Sequence, residues 1–161
     1  MPSQPIHKTP LTPREAEIRL QSLCARSEQC SYQLRQKLWK WRIAPDKAEA
    51  IMDRLIDRRF VDDTRFARSY INDKIRLSRW GQRKVAAALA AYRIPSSTVR
   101  EILDSMPQEI IEENLLHILT VKAKTLTDPN TYEGRTALFR YAISRGYRSD
   151  TIRNVITTHF K

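Results

Sequence analysis

Residues 31–51 read SYQLRQKLWKWRIAPDKAEAI, and residues 82–102 read QRKVAAALAAYRIPSSTVREI. Displaced by 51 residues, their apolar positions coincide: Leu34 falls on Val85, Leu38 on Leu89, Trp41 on Tyr92, Ile43 on Ile94, Ala48 on Val99 and Ile51 on Ile102. A further displacement of 53 carries the six onto Leu138, Ala142, Arg145, Tyr147, Ile152 and Val155. Five of the six positions stay apolar or small in all three copies. Self-similarity at a nearly constant period is the mark of a repeat architecture, in which one supersecondary unit is copied and each copy packs mainly on its neighbours.

The segments around this repeat have the spacing of helices. Ala16, Leu20, Leu23 and Cys24 line one face, and Ala48, Ile51, Met52, Leu55 and Ile56 another. Phe66, Ala67, Tyr70, Ile71 and Ile75 form a third stripe, and Ile111, Leu115, Ile118 and Leu119 with Lys122 a fourth. Pro13, Pro45, Pro95, Pro107 and Pro129 fall between these segments, where a missing N–H costs least. Thr12-Pro13-Arg14-Glu15 has the form of a capping box, and Ser105 to Gln108 and Asn130 to Glu133 repeat its logic. Ser96-Ser97 and Ser149-Asp150 are further cap candidates. No stretch alternates as a strand would, so the chain is expected to be all-α. Three tandem three-helix repeats over residues 12–61, 62–106 and 107–161 would form an elongated array behind a flexible tail at 1–11.

Composition excludes several function classes. Among 161 residues there are three glycines, Gly81, Gly134 and Gly146, never closer than 12 positions, so no glycine-rich phosphate loop exists. Cys24 and Cys30 stand without a second cysteine or histidine cluster, and His7, His117 and His159 are scattered. This leaves no structural zinc pattern and no disulfide framework. The longest apolar run, Val85–Tyr92, is eight residues, and the N-terminus lacks a signal-like apolar stretch. A cytosolic, reduced chain with no cofactor, no metal and no membrane segment is expected. No residue set nominates a reaction, so the chain is expected not to be an enzyme.

Charge says more. With 29 Lys and Arg against 18 Asp and Glu the net charge is +11, and the excess sits on the middle helix of each copy. Residues 31–45 hold Arg35, Lys37, Lys40 and Arg42 with no acid; residues 74–94 hold Lys74, Arg76, Arg79, Arg83, Lys84 and Arg93, again with none. The third copy has Arg135, Arg140, Arg145 and Arg148 against Glu133 alone. Tyr32, Trp39, Trp41, Trp80, Tyr92, Tyr141 and Tyr147 interleave with them. These fourteen cations are the candidate binding surface for phosphates or an acidic protein groove, the competing reading being a solvated face. For each aromatic, core packing competes with base stacking and is the expected role. Asp62-Asp63 does not read as a catalytic pair, because adjacent residues do not share a helix face; a helix cap is the expected role.

These residues carry a family resemblance. Phe60-Val-Asp-Asp-Thr-Arg-Phe-Ala67 resembles the D-D-x-x-F-A signature of RecX regulatory proteins, the bacterial modulators of RecA recombinase. Ser31-x-x-Leu34-x-x-Lys37-Leu38 is similar to the first-repeat motif of that family, Trp80-Gly81 to Ile94 to the second and Arg145-Gly146-Tyr147 to the third, and together they span about residues 12–160. The resemblance implies three tandem three-helix units and a non-enzymatic regulator. Such a regulator binds the RecA filament on single-stranded DNA and dampens its ATPase, strand-exchange and coprotease activities. Asp62, Asp63, Phe66 and Ala67 then read as a structural cap and core joining the first two repeats. A monomer with weak, non-specific single-stranded DNA contact is expected, the alternative being a stand-alone helical nucleic-acid-binding protein. One departure stands out: where the family often has glycine after the second helix, this chain has Arg42 and Arg93, which puts the turn there in question.

Overall fold

The computed structural model describes residues 10–161, so most of the tail expected at 1–11 lies outside the described residues. Among them are nine α-helices and no strand: α1 Pro13–Arg26, α2 Ser31–Lys40, α3 Pro45–Asp57, α4 Asp63–Arg76, α5 Gln82–Ala91, α6 Ser96–Asp104, α7 Gln108–Ala123, α8 Tyr132–Ser144 and α9 Ser149–His159. The all-α repeat is present in register. α2 and α5 coincide at both ends after displacement by 51, while a displacement of 53 brings the end of α5 onto that of α8 and the start of α6 onto that of α9. Four of the six matched positions are buried in all three copies, Leu34, Val85 and Leu138 completely so, while Trp41, Tyr92 and Arg145 are half-buried.

What recurs most faithfully is a turn. After α2 the Arg42 N–H donates to Trp39 O at 2.9 Å and the Ile43 N–H to Leu38 O at 3.1 Å. After α5 the Arg93 and Ile94 N–H groups reach Ala90 O and Leu89 O, and after α8 those of Gly146 and Tyr147 reach Ile143 O and Ala142 O. This is the Schellman pattern, which requires a left-handed residue just past the helix and an apolar one beyond it. Arg42, Arg93 and Gly146 supply φ of 57°, 56° and 90°. The two arginines therefore take the glycine conformation at the steric expense of a Cβ, of order 1 kcal/mol each. Arg59 (φ 57°) closes α3 the same way.

The helix starts are less uniform than the sequence suggests. The capping box at Thr12 and Glu15 forms, each side chain bonding the other's backbone N–H. The cap of α8 is Thr131, whose hydroxyl accepts from Gly134 N–H, not Asn130. Ser105 does not cap α7: its hydroxyl donates backward to Ile102 O and finishes α6. Pro95 and Arg148 sit at the caps of α6 and α9 without side-chain bonds, so Ser96, Ser97 and Ser149 do not serve there, while Asp150, inside the first turn of α9, accepts the Thr151 N–H at 2.9 Å.

Asp62 and Asp63 divide the capping work. Asp62 accepts the Arg65 N–H at 2.9 Å and caps its own helix, α4. Asp63 reaches back 32 residues to accept the Ser31 N–H at 2.7 Å, at the start of α2, where Cys30 offers only a weak thiol acceptor. Arg65, between the motif's two acids and Phe66, ties Glu28 at 2.6 Å and the carbonyls of Arg59 and Phe60.

The chain divides into two compact units, one ending at Phe66 and one beginning at Ala67. In the first, α1 and α2 pack on α3 around Leu20, Leu34, Leu38, Ile51, Met52 and Leu55, with Trp41 and Phe60 partly buried at the margin. In the second, α7 packs on α8 and α9, and α5 on α6. There Gly81 and Gly146 are in reciprocal backbone contact. The Gly81 N–H donates to Arg145 O and the Arg83 N–H to Gly146 O, at 2.8 and 2.9 Å. A Cβ on Gly81 would collide with the Gly146–Tyr147 peptide, and one on Gly146 with the Lys84 backbone.

These contacts set expected stabilities. Gly146→Ala combines an occupied site with a left-handed φ and should cost about 3 kcal/mol or more. Arg42→Gly relieves strain but frees the unfolded chain, so it should leave stability unchanged or raise it by up to about 1 kcal/mol, whereas Arg42→Val should lower it by about 1–2 kcal/mol. Loss of the cap in Asp63→Ala should cost about 1–2 kcal/mol. Urea unfolding followed by circular dichroism checks all four; an Arg42→Gly variant as damaged as Arg42→Val would contradict the left-handed turn.

Candidate basic interface

In the first unit the predicted cations split by role. Arg35 makes a two-point ion pair with Glu49, at 3.1 and 3.2 Å, which neutralises it and draws the Glu49 carboxyl below its ordinary range. Lys37 is half-buried, while Lys40 and Arg42 are exposed and in no ion pair among the described residues. Just before Lys40 lies Trp39, 79% exposed. Core packing, expected for the aromatics, holds for Trp41 and fails for Trp39, because at the last turn of α2 the buried stripe is already completed by Leu34 and Leu38.

In the second unit three groupings form. Lys74 and Lys84 both lie over the Trp80 ring, their ammonium groups 4.7 and 4.3 Å from its centroid. A π-face attracts cations, so Trp80 holds two like charges at one place. Arg79 and Arg145 share a second site: the Arg145 guanidinium donates to Ser78 O at 3.0 Å, and the Tyr147 hydroxyl donates to Arg79 O at 2.9 Å. Arg145 is thus committed to holding the 78–79 turn, where Arg79 itself is left-handed at φ 49°. Arg83 and Arg148 line a third site, a cleft along α5 and α6.

The remaining predicted cations are not brought together. Arg76 leans on Asn72 within its own helix, Arg135 donates to Asn130 O at 2.9 Å beside the α8 cap, and Arg140 is exposed. Arg93 is exposed past the left-handed turn. Sequence reasoning missed Arg100, the third arginine of the α5–α6 cleft, because Glu101 and Asp104 beside it hide it from a search for acid-free runs. Phe66 and Ala67 are buried, as a core role requires.

Other chemistry is sparse. Cys24 and Cys30 are free, and burial pushes both thiols up, away from reactivity. No group of three or more His, Cys, Asp or Glu among the described residues is placed to hold a metal. No helix among them is long and apolar enough to cross a membrane.

Comparison with known proteins agrees with this architecture. The family model for RecX, second three-helix domain, matches residues 62–103. A regulatory protein RecX of Clostridium botulinum is 28% identical over 145 residues, covering 89% of this chain and 66% of that protein. One of Thermus thermophilus is 36% identical over 93 residues, covering 58% of this chain and 61% of its own. The chain therefore spans less than two thirds of either relative's length. The crystal structure of RecX from Lactobacillus salivarius superposes with a TM-score of 0.83 at 16% identity, over 91% of this chain and 95% of that one, and shows the same fold. An all-α repeat with basic middle helices is the class these features define. In sequence the chain is similar to RecX regulatory proteins, and it shares the fold of a solved RecX structure.

The Tyr147 bond makes a pH prediction. Burial of this side chain pushes its phenol up to about 12, with the charges of Arg145 and Arg79 offsetting part of the rise. An unfolded tyrosine ionises near 10, so between about pH 10 and 12 the unfolded chain releases a proton that the folded chain keeps. Stability present below pH 10 is lost across that window, by on the order of 2–3 kcal/mol. Tyr147→Phe should be less stable at pH 8, by about 1–2 kcal/mol for the orphaned carbonyl, and should lose less than the native chain between pH 10 and 12. Parallel losses in both would assign the alkaline sensitivity elsewhere.

Proposed function

We propose that the chain is a regulator that binds the RecA–single-stranded DNA filament in the cytoplasm and lowers its ATPase, strand-exchange and coprotease activities. Similarity to RecX carries the reading: the stretch that matches the RecX second three-helix domain also contains Lys74, Arg76, Arg79, Arg83, Lys84 and Arg93 without an acid among residues 74–94. A filament of protein on a polyphosphate strand offers acidic and phosphate groups at repeated intervals. Three-helix modules over 12–61, 62–106 and 107–161 suit such a target, because contacts that are weak singly add through effective concentration. No reacting group is needed; the chain acts by binding, as a monomer.

DNA contact has a specific observation behind it. An exposed indole beside two unpaired cations, Trp39 with Lys40 and Arg42, is the arrangement by which proteins stack an unpaired base while pairing its phosphates. This supports weak single-stranded DNA binding within the filament role. The stand-alone DNA-binding reading would need affinity without RecA.

Titration of RecA ATPase on single-stranded DNA tests the proposal. Substoichiometric chain should lower turnover, and Arg83→Glu, Lys84→Glu and Arg93→Glu together should raise the half-inhibiting concentration at least tenfold. Turnover unchanged across a wide low-salt titration would refute the reading. Trp39→Ala should weaken oligothymidylate binding by about 1–3 kcal/mol, read by anisotropy without RecA. Nanomolar binding there that persists from 50 to 200 mM salt would favour the stand-alone protein, since phosphate-driven affinity falls by orders of magnitude over that range.

A further inference from the structure

The α5–α6 cleft has a composition the basic surface does not explain. Its floor is aliphatic, made by Ala86, Ile94, Val99 and Leu103, and its volume is about 220 Å³. Arg83, Arg100 and Arg148 stand at its edge, all exposed and none in an ion pair among the described residues. Gln82 lines the same cleft at only 6% exposure, and its carboxamide oxygen is buried without a hydrogen-bond partner. An unpaired buried acceptor is costly and rare in a native fold. Because the oxygen is sealed beneath the surface, an N–H donor in the cleft completes it only when the Gln82 carboxamide turns outward.

Each feature constrains the occupant. The volume is below the roughly 300–1,000 Å³ of cofactor-sized pockets, so the cleft takes an anchoring side chain, not a small molecule. No aromatic ring lines it, so a nucleobase would find no stacking partner. Three arginines with no carboxylate among the lining residues call for anions flanking the anchor. The unpaired oxygen calls for a main-chain N–H. We propose that this cleft docks an acidic peptide segment of a protein partner, with one large aliphatic residue seated on the floor. Aspartates or glutamates on either side pair with Arg83, Arg100 and Arg148, and a peptide N–H bonds to Gln82 once its carboxamide turns outward. The inference rests on the protein-binding reading above and narrows it to a recognition element.

The probe is a fluorescein-labelled heptapeptide with one leucine between two runs of three glutamates, titrated into the full chain by anisotropy at 50 mM salt. Replacing its leucine by serine should weaken binding about tenfold, as should Ala90→Trp, which fills the cleft from an exposed helix position. Gln82→Met should weaken binding about fivefold while leaving the unfolding midpoint unchanged or higher. A structural glutamine would show the reverse, and that result would overturn the proposal. So would equal binding of the leucine and serine peptides, or preferential displacement of the peptide by an oligothymidylate, which would make the cleft a nucleic-acid site. RecA turnover is measured alongside. A chain that lowers turnover yet ignores the peptide loses only the cleft proposal; one that binds the peptide yet leaves turnover unchanged loses only the filament reading.

Discussion

A single backbone device organises this protein: the left-handed residue after the second helix of each repeat. It reverses the chain within two residues, satisfies two terminal carbonyls, and delivers the next apolar side chain, Ile43, Ile94 or Tyr147, back onto the core. Everything after it depends on that geometry. In the third repeat the same turn also brings Gly146 against the start of α5, where two backbone hydrogen bonds replace the side-chain packing that a Cβ would otherwise require. The glycine is needed there by contact as well as by φ. At Arg42 and Arg93 only φ is demanding, and a long, exposed side chain is tolerated.

That difference explains where the arginines sit. All four non-glycine residues with positive φ among those described are arginines, at 42, 59, 79 and 93. Helix C-termini carry partial negative charge, so a cation at the left-handed position recovers part of the steric penalty electrostatically. The substitution also projects a guanidinium from the end of each of the first two middle helices. Turn chemistry and surface charge are thus placed by the same residue. The two-lysine clasp on Trp80 and the commitment of Arg145 to Ser78 O show the opposite use, cations holding the second unit's own turn together.

Much of the fold was legible because burial at helical spacing is a strong signal repeated three times. Leu34, Val85 and Leu138 are equivalent both in pattern and in burial. Caps were less legible. Serines and aspartates near a helix start compete for the role, and at Thr131, Pro95 and Arg148 the backbone began one residue away from the side chain that looked suited. The candidate site was legible as charge but not as arrangement. Net charge along the chain cannot distinguish Arg35, neutralised by Glu49 fourteen residues later, from Lys40, which is free. Nor could it pick out Arg100, set among acids in sequence and among arginines in space.

The bond from Ser31 to Asp63 has a temporal side. A chain is synthesised from its N-terminus at about 5–20 residues per second, so the Asp63 carboxylate is added roughly 2–6 s after Ser31, whose N–H it accepts. During that interval the first turn of α2 has the weak Cys30–Gln33 capping box but no acceptor for the Ser31 N–H. The first compact unit, which ends at Phe66, is therefore closed only by its own last residues. The helix takes its finishing atom from the start of α4, 32 residues on, and a fragment cut before Asp63 would lose that atom with it.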